Sequence, residues 1–158
     1  MRMDADRIEK QVLLRAPLQR VWAAISDAEQ FGRWFGVRFD GPFAEGRTVT
    51  ATITPTEVDA DVAKRQEPHA GVTSRWQVVA VEPPRRFAYR WPIDPDDEDT
   101  TTLVEFTLAE VSDGVLLTIV ESGFDAIPEA RRRASFDANA EGWTIQTDLV
   151  RRYLEERA

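Results

Sequence analysis

The chain has 158 residues, a formal net charge of −8 from 20 Lys plus Arg against 28 Asp plus Glu, and no cysteine. That length corresponds to one domain, 1–158, able to bury a core without metal or cross-link. Disulfides, zinc–thiolate sites and thiol nucleophiles are excluded, the acidic balance opposes nucleic acid and anionic membranes, and no apolar run approaches the ~20 residues of a membrane span. Met1 to Lys10 is charged and has no signal-peptide pattern, so a cytoplasmic protein without membrane insertion is expected. The one dense basic run, Arg131-Arg132-Arg133, reads as a solvated helix face.

Ile8 to Arg15 alternates and predicts a first strand. Pro17 suits a helix start, and Val21, Trp22 and Ile25 continue at helical spacing to Ser26. Asp27 with Gln30 forms a capping-box pattern, which predicts a second short helix to about Trp34. Gly41-Pro42 and Gly46 mark turns before a β-branched strand over Arg47–Thr54. The polar stretch Pro55–Gly71 reads as a long hairpin connection.

Ser74–Glu82 and Arg86–Trp91 flank a Pro83-Pro84 turn. A two-residue loop there would pair Ala80 with Phe87, Val78 with Tyr89 and Trp76 with Trp91, all on one face. Thr101–Glu110 and Val115–Gly123 flank Asp113-Gly114, a strong hairpin signal. Pairing outward from it puts Leu108 beside Ile119 and Phe106 beside Glu121. Val104, Phe106, Leu108, Leu117 and Ile119 then share a face with one carboxylate, Glu121.

Pro128 opens a helix that runs to about Glu156. Phe136, Ala140, Trp143, Thr147, Val150 and Leu154 form its apolar stripe, extended by Gly142, Gln146, Leu149 and Tyr153. Such a helix spans roughly 42 Å, enough to cross a sheet and bury its stripe there. The expected class is α+β: a curved antiparallel sheet, two short helices, and a long C-terminal helix enclosing a cavity.

Several stretches carry a family likeness: Pro17 through Trp22 to Ile25, Trp34-Phe35-Gly36, Val81-Glu82-Pro83-Pro84-Arg85-Arg86-Phe87, Thr118 through Glu121 to Phe124, and Asn139 through Gly142-Trp143 to Tyr153-Leu154. Together and in this order they resemble the START-like or SRPBCC superfamily, and within it the heat-shock-protein ATPase activator homologue (AHSA1-like) branch. The resemblance implies a helix-grip fold with a cavity between sheet and last helix. It implies roles ranging from hydrophobic-ligand binding and polyketide cyclisation to co-chaperone work in the stress response. Pro55–Gly71 exceeds the family pattern in length, which places a difference at the cavity mouth.

No catalytic motif accompanies these structural ones. The single histidine, His69, lies in the polar loop without a G-x-S-x-G serine, a P-loop or a G-x-G-x-x-G elsewhere, so neither a catalytic residue nor a cofactor is assigned. The acidic run Pro92–Asp99 lacks EF-hand spacing and reads as a solvated hairpin tip. Glu121 has two readings: a group that orients a polar ligand head or acts as base, or a sheet-end carboxylate paired with an arginine or backbone N–H. Trp76, Tyr89, Trp91, Phe106 and Trp143 likewise either fill the core or line a ligand cavity, with Gln146 and Tyr153 adding polar contacts or facing water. The expected function is binding of a small, largely apolar molecule by Trp76, Tyr89, Trp91, Phe106, Glu121, Trp143, Gln146 and Tyr153. A protein-interaction module of co-chaperone type is the alternative, and a cyclase or hydrolase using Glu121 stands last.

Overall fold

A computed structural model of the chain describes residues 7–94 and 96–156. Residues 1–6 of the charged N-terminal stretch and Pro95 of the acidic run lie outside the described residues. Seven strands form one antiparallel sheet: β1 (Arg7–Leu14), β2 (Val37–Phe39), β3 (Thr48–Ile53), β4 (Thr73–Glu82), β5 (Arg86–Asp94), β6 (Asp97–Val111) and β7 (Gly114–Ser122). Their order is β1-β7-β6-β5-β4-β3-β2. Helices α1 (Leu18–Ser26) and α2 (Ala28–Phe35) follow β1, α3 (Ala60–Gln66) lies between β3 and β4, and α4 (Glu129–Glu156) ends the chain. This is the α+β helix-grip architecture.

Local chemistry sets the element ends. Asp27 caps α2 by accepting from the Glu29 and Gln30 N–H groups, which satisfies two otherwise orphaned donors. Gln30 does not return the bond as in a full capping box; its Oε1 accepts from Tyr153 of α4 instead. Gly36 closes α2 in the left-handed region, with φ 97. That turn feeds β2, a three-residue edge strand too short to show a sequence period.

Pro55–Gly71 is not a bare hairpin connection. It holds α3 and a 3-10 turn, Glu67–His69. Asp59 caps α3 through the Val62 N–H at 2.9 Å, and Gln66 accepts the Thr56 N–H at 2.7 Å. The helix buries little, with Val62 only packed at the core's edge, so hydrophobic period gave no sign of it. Its cap and its run of good helix formers were the available signals.

Both hairpins differ from expectation in an instructive way. In β4–β5 the tip pair is Glu82↔Arg86, a three-residue connection, so Ala80 pairs with Ala88 instead of Phe87. A bulge between Val78 and Ala80 then restores the expected Val78↔Tyr89 pair. In β6–β7 the tip pair is Val111↔Gly114, giving Leu108↔Leu117, Phe106↔Ile119 and Val104↔Glu121. That is a two-residue slip, which changes partners but preserves faces. Gly114 is needed for close approach, because a Cβ there would sit 2.3 Å from the Leu14 carbonyl oxygen of β1.

The core is aromatic and centred on Phe31, fully buried among Trp34, Phe35, Phe39, Phe43, Trp76, Phe87, Tyr89 and Phe106 with ring centroids 4.7–6.4 Å away. On α4, Trp143, Leu149, Val150, Tyr153 and Leu154 are buried, while Asp137, Glu141, Thr144 and Asp148 are exposed. The arginine triplet lies on the helix face as expected: Arg131 pairs with Asp94, Arg132 donates to the Asp125 and Ile127 carbonyls, and Arg133 pairs with Asp137. Among the described residues no helix is long and apolar enough to cross a membrane.

Candidate functional site

Strand parity brings Thr102 and Glu121 onto the sheet face covered by α4, and both are fully buried. Glu121 accepts five hydrogen bonds from four donor groups. Trp143 Nε1 donates to Oε1 at 2.8 Å and Trp91 Nε1 to Oε2 at 2.8 Å. Asn139 Nδ2 bridges both oxygens at 3.0 Å, and the Thr102 hydroxyl donates to Oε2. The pairing is therefore with indoles, an amide and a hydroxyl, in place of the expected arginine or backbone N–H. A carboxylate has acceptor capacity only, so a ring of uncharged donors offsets much of its desolvation. With both oxygens engaged and buried, no free position remains at which Glu121 would take a substrate proton, and the base reading loses its geometry.

Asn139 and Thr102 are partners that the sequence reading missed. Both were reachable: Asn139 stands one turn before Trp143 on the same helix face, and Thr102 shares the parity of Val104 and Phe106. Tyr89 is the neighbour left over. Its hydroxyl is buried without a hydrogen-bond partner among the described residues, and burial, with the Glu121 charge adding to it, pushes its pKa well above the ordinary phenol range.

The aromatic candidates come together and touch. Trp76 stacks on Tyr89 at 4.5 Å and 16°, Trp91 stacks on Trp143 at 5.7 Å and 29°, and Phe106 meets Trp143 edge-on at 5.8 Å. At this level the room between sheet and α4 is taken by these rings. Trp91 alone of the five is part-exposed. Tyr153 is ten residues along α4 from Trp143, about 15 Å, and donates to Gln30 Oε1 of α2 at 3.2 Å. It belongs to the helix–helix contact and stands apart from Glu121.

Gln146 leads to open space. Its Nε2 donates to the Phe35 carbonyl at 3.0 Å, and its Oε1 is buried without a hydrogen-bond partner among the described residues. It lines a hollow of about 310 Å³ between α3 and α4, with Phe35, Val37, Ile53, Val62 and Ile145 as apolar walls. Arg65, Gln66 and His69 come from the α3 segment; Gly142 leaves open space, whereas Gly36 makes room for the Gln66 amide. Phe35 forms the partition: its ring stands 5.6 Å from Trp76, 6.0 Å from Trp91 and 6.1 Å from Trp143. The α3 side is held by Gln66, whose Nε2 also donates to the Phe35 carbonyl at 3.2 Å. Arg152 of α4 pairs with Asp59 and donates to the Val58 carbonyl at 3.3 Å. The Val62 N–H, and then Arg152, hold the Asp59 carboxyl below its ordinary pKa.

A second, wider hollow of about 1240 Å³ lies outside the sheet–helix interior. It runs between α1–α2 and the β2 edge, lined by Trp22, Gly32, Val37, Phe39 and Phe43 together with Asp27, Glu29, Asp40, Glu57, Arg33 and Arg38. Its lining is as polar as apolar, which suits a docking groove better than a small-molecule pocket.

The family described as Activator of Hsp90 ATPase homolog 1-like protein matches residues 15–155. Solved structures share the fold at low identity. DynU16, a protein of the dynemicin biosynthetic locus, is 22% identical with TM-score 0.70 over 95% of this chain and 47% of its own, so the chain spans about half of DynU16. MLL2253 from Mesorhizobium loti is 21% identical, TM-score 0.71, covering 96% of this chain and 98% of its own. Ms6760 from Mycobacterium smegmatis is 17% identical, TM-score 0.73, covering 99% and 96%. No curated protein is significantly similar in sequence.

Proposed function

The chain belongs to the Activator of Hsp90 ATPase homolog 1-like family of the START-like (SRPBCC) superfamily, and we propose that it binds a small, largely apolar molecule in the hollow between α3 and α4. The superfamily is known for ligand binding in a hydrophobic cavity. One observation carries the reading for this chain: a largely apolar hollow of about 310 Å³ bordered by an amide, Gln146, whose Oε1 is buried without a partner among the described residues. A volume near 300 Å³ stands at the small end of ligand sites, and apolar walls with few fixed polar groups are their usual make-up. Of the residues expected to bind, Gln146 borders this hollow directly. Trp76, Trp91 and Trp143 stand behind Phe35, and Tyr89, Phe106 and Glu121 lie deeper, so a ligand reaches them only if the rings part.

Gly142 supplies the test. A Cβ built there meets nothing within 4 Å, so Gly142→Leu projects a side chain into free space on a helix that favours leucine over glycine. Calorimetric titration with 1-octanol is expected to give saturable, millimolar binding to the wild-type chain and none to Gly142→Leu. Equal binding by both proteins would place the alcohol elsewhere and remove the hollow from consideration.

The wider groove favours a second reading, docking of a basic protein segment, because four carboxylates against two arginines line it. Cross-linking to a lysine-rich peptide that maps to Glu57 and Asp40 and is lost in Trp22→Lys would support it. Cross-links scattered over the acidic surface would refute it.

A further inference from the structure

Resting on the reading that the α3–α4 hollow is a ligand site, we propose that its ligand is an amphipathic weak acid, a short apolar body whose carboxylate or phenolate ends at Arg65. The charge around this hollow differs from that of the chain as a whole. The protein carries −8, yet among the described residues no Asp or Glu lines the hollow, and the ionisable lining groups are Arg65 and His69. Both come from the segment between β3 and β4, and the remaining lining is apolar side chains, two glycines and the amides of Gln66 and Gln146.

Arg65 is also weakly engaged. Its ion pair with Glu141 is at 4.0 Å, the limit of such contacts, with the two side chains 65% and 74% exposed. A pair of that kind contributes little and leaves the guanidinium donors available. Neighbouring arginines are held more closely: Arg151 pairs with Asp148 at 2.6 Å, and Arg152 is clamped between Asp59 and Glu156. A planar guanidinium at the end of an apolar space fits a carboxylate or phenolate through paired N–H donors. An amine head at the same place meets a fixed positive charge.

Octanoate, 1-octanol and octylamine share a chain length and differ in head charge. Titrated calorimetrically at neutral pH and low ionic strength, octanoate is expected to bind about three- to fivefold tighter than octanol, the size of an exposed ion pair, with octylamine weaker than either. The overall charge of −8 acts in the opposite direction, so an anion preference has to come from the site. Arg65→Gln is expected to bring octanoate down to the affinity of octanol while leaving octanol unchanged, and added salt to do the same. Octanoate binding no tighter than octanol, or an advantage that survives Arg65→Gln, would overturn the acid-ligand inference while the hollow stands. No saturable binding of any of the three would overturn the hollow and the inference together.

Discussion

Replacing Glu121 with leucine removes the acceptor on which two indoles, one amide and one hydroxyl converge. The consequences differ between donors. Among the described residues Trp143 Nε1 has no other hydrogen-bond partner, and the residue is 2% exposed. Trp91 Nε1 keeps the Thr102 oxygen at 3.0 Å, and Asn139 is part-exposed and can turn to water. A buried donor left without an acceptor costs about 1–3 kcal/mol, and relief of carboxylate desolvation offsets part of the remaining loss. The net expectation for Glu121→Leu is a destabilisation of about 2–4 kcal/mol, seen in urea unfolding. For a domain of this size that lowers Tm by about 5–15 °C. Trp143→Phe removes the same N–H while keeping a ring in the stack. In the Glu121→Leu background it should cost about 1–2 kcal/mol less than in the wild type, the signature of a shared interaction. Additive costs, or a Glu121→Leu protein as stable as the wild type, would mean that the carboxylate does not tie α4 to the sheet.

Other expectations follow from single positions. Asp59→Ala should speed hydrogen exchange of the α3 amides more than that of β5–β7, since Asp59 both caps the helix and pairs with Arg152. Its carboxyl is held below the ordinary pKa by the Val62 N–H and then Arg152. Its stabilisation is therefore complete above the unfolded-chain value and is lost as pH falls through the folded one, so α3 protection is flat near neutrality and drops in acid. Asp59→Asn keeps an acceptor but no charge and should remove that acid limb; an unchanged limb would assign it to another group. Gly114→Ala, at φ 150 with a Cβ 2.3 Å from the Leu14 oxygen, should destabilise by about 1–3 kcal/mol. Gly142→Ala, in a helix with free space around it, should stabilise by about 0.5–1 kcal/mol. Thermal unfolding of the two alanine variants checks both signs.

The faces of this sheet were readable because a strand's period is two. Even the two-residue slip in β6–β7 left Val104, Phe106, Leu108 and Glu121 on the correct side. Partner identity was less readable, because it depends on loop length and on a bulge at Val79 that no residue type announces. The long amphipathic stripe of α4 likewise put Trp143 over the sheet. Helix α3 escaped notice because it buries almost nothing, so its evidence lay in capping chemistry and in Gln66, whose contacts are with distant chain. The polar chain around Glu121 was half legible: the anomalous carboxylate stood out, while Asn139 and Thr102 share its face by helix spacing and strand parity without any residue-type signal that they converge on it. The hollow was not legible at all. It is a gap between α2, β2, β3, α3 and α4, and space between elements has no pattern of its own in sequence.

In the proposed mode of binding, a ligand occupies the α3–α4 hollow and leaves the ring-filled interior closed. An amide and indole NMR titration with 1-octanol tests this directly, since Trp91 and Trp143 each carry an indole N–H bonded to Glu121. The predicted result is movement of backbone resonances at 35–37, 62–69 and 142–146 while the indole signals of Trp91 and Trp143 stay in place. Large shifts of those two indoles, with the hollow's amides unmoved, would contradict the claim and put the ligand between the sheet and α4.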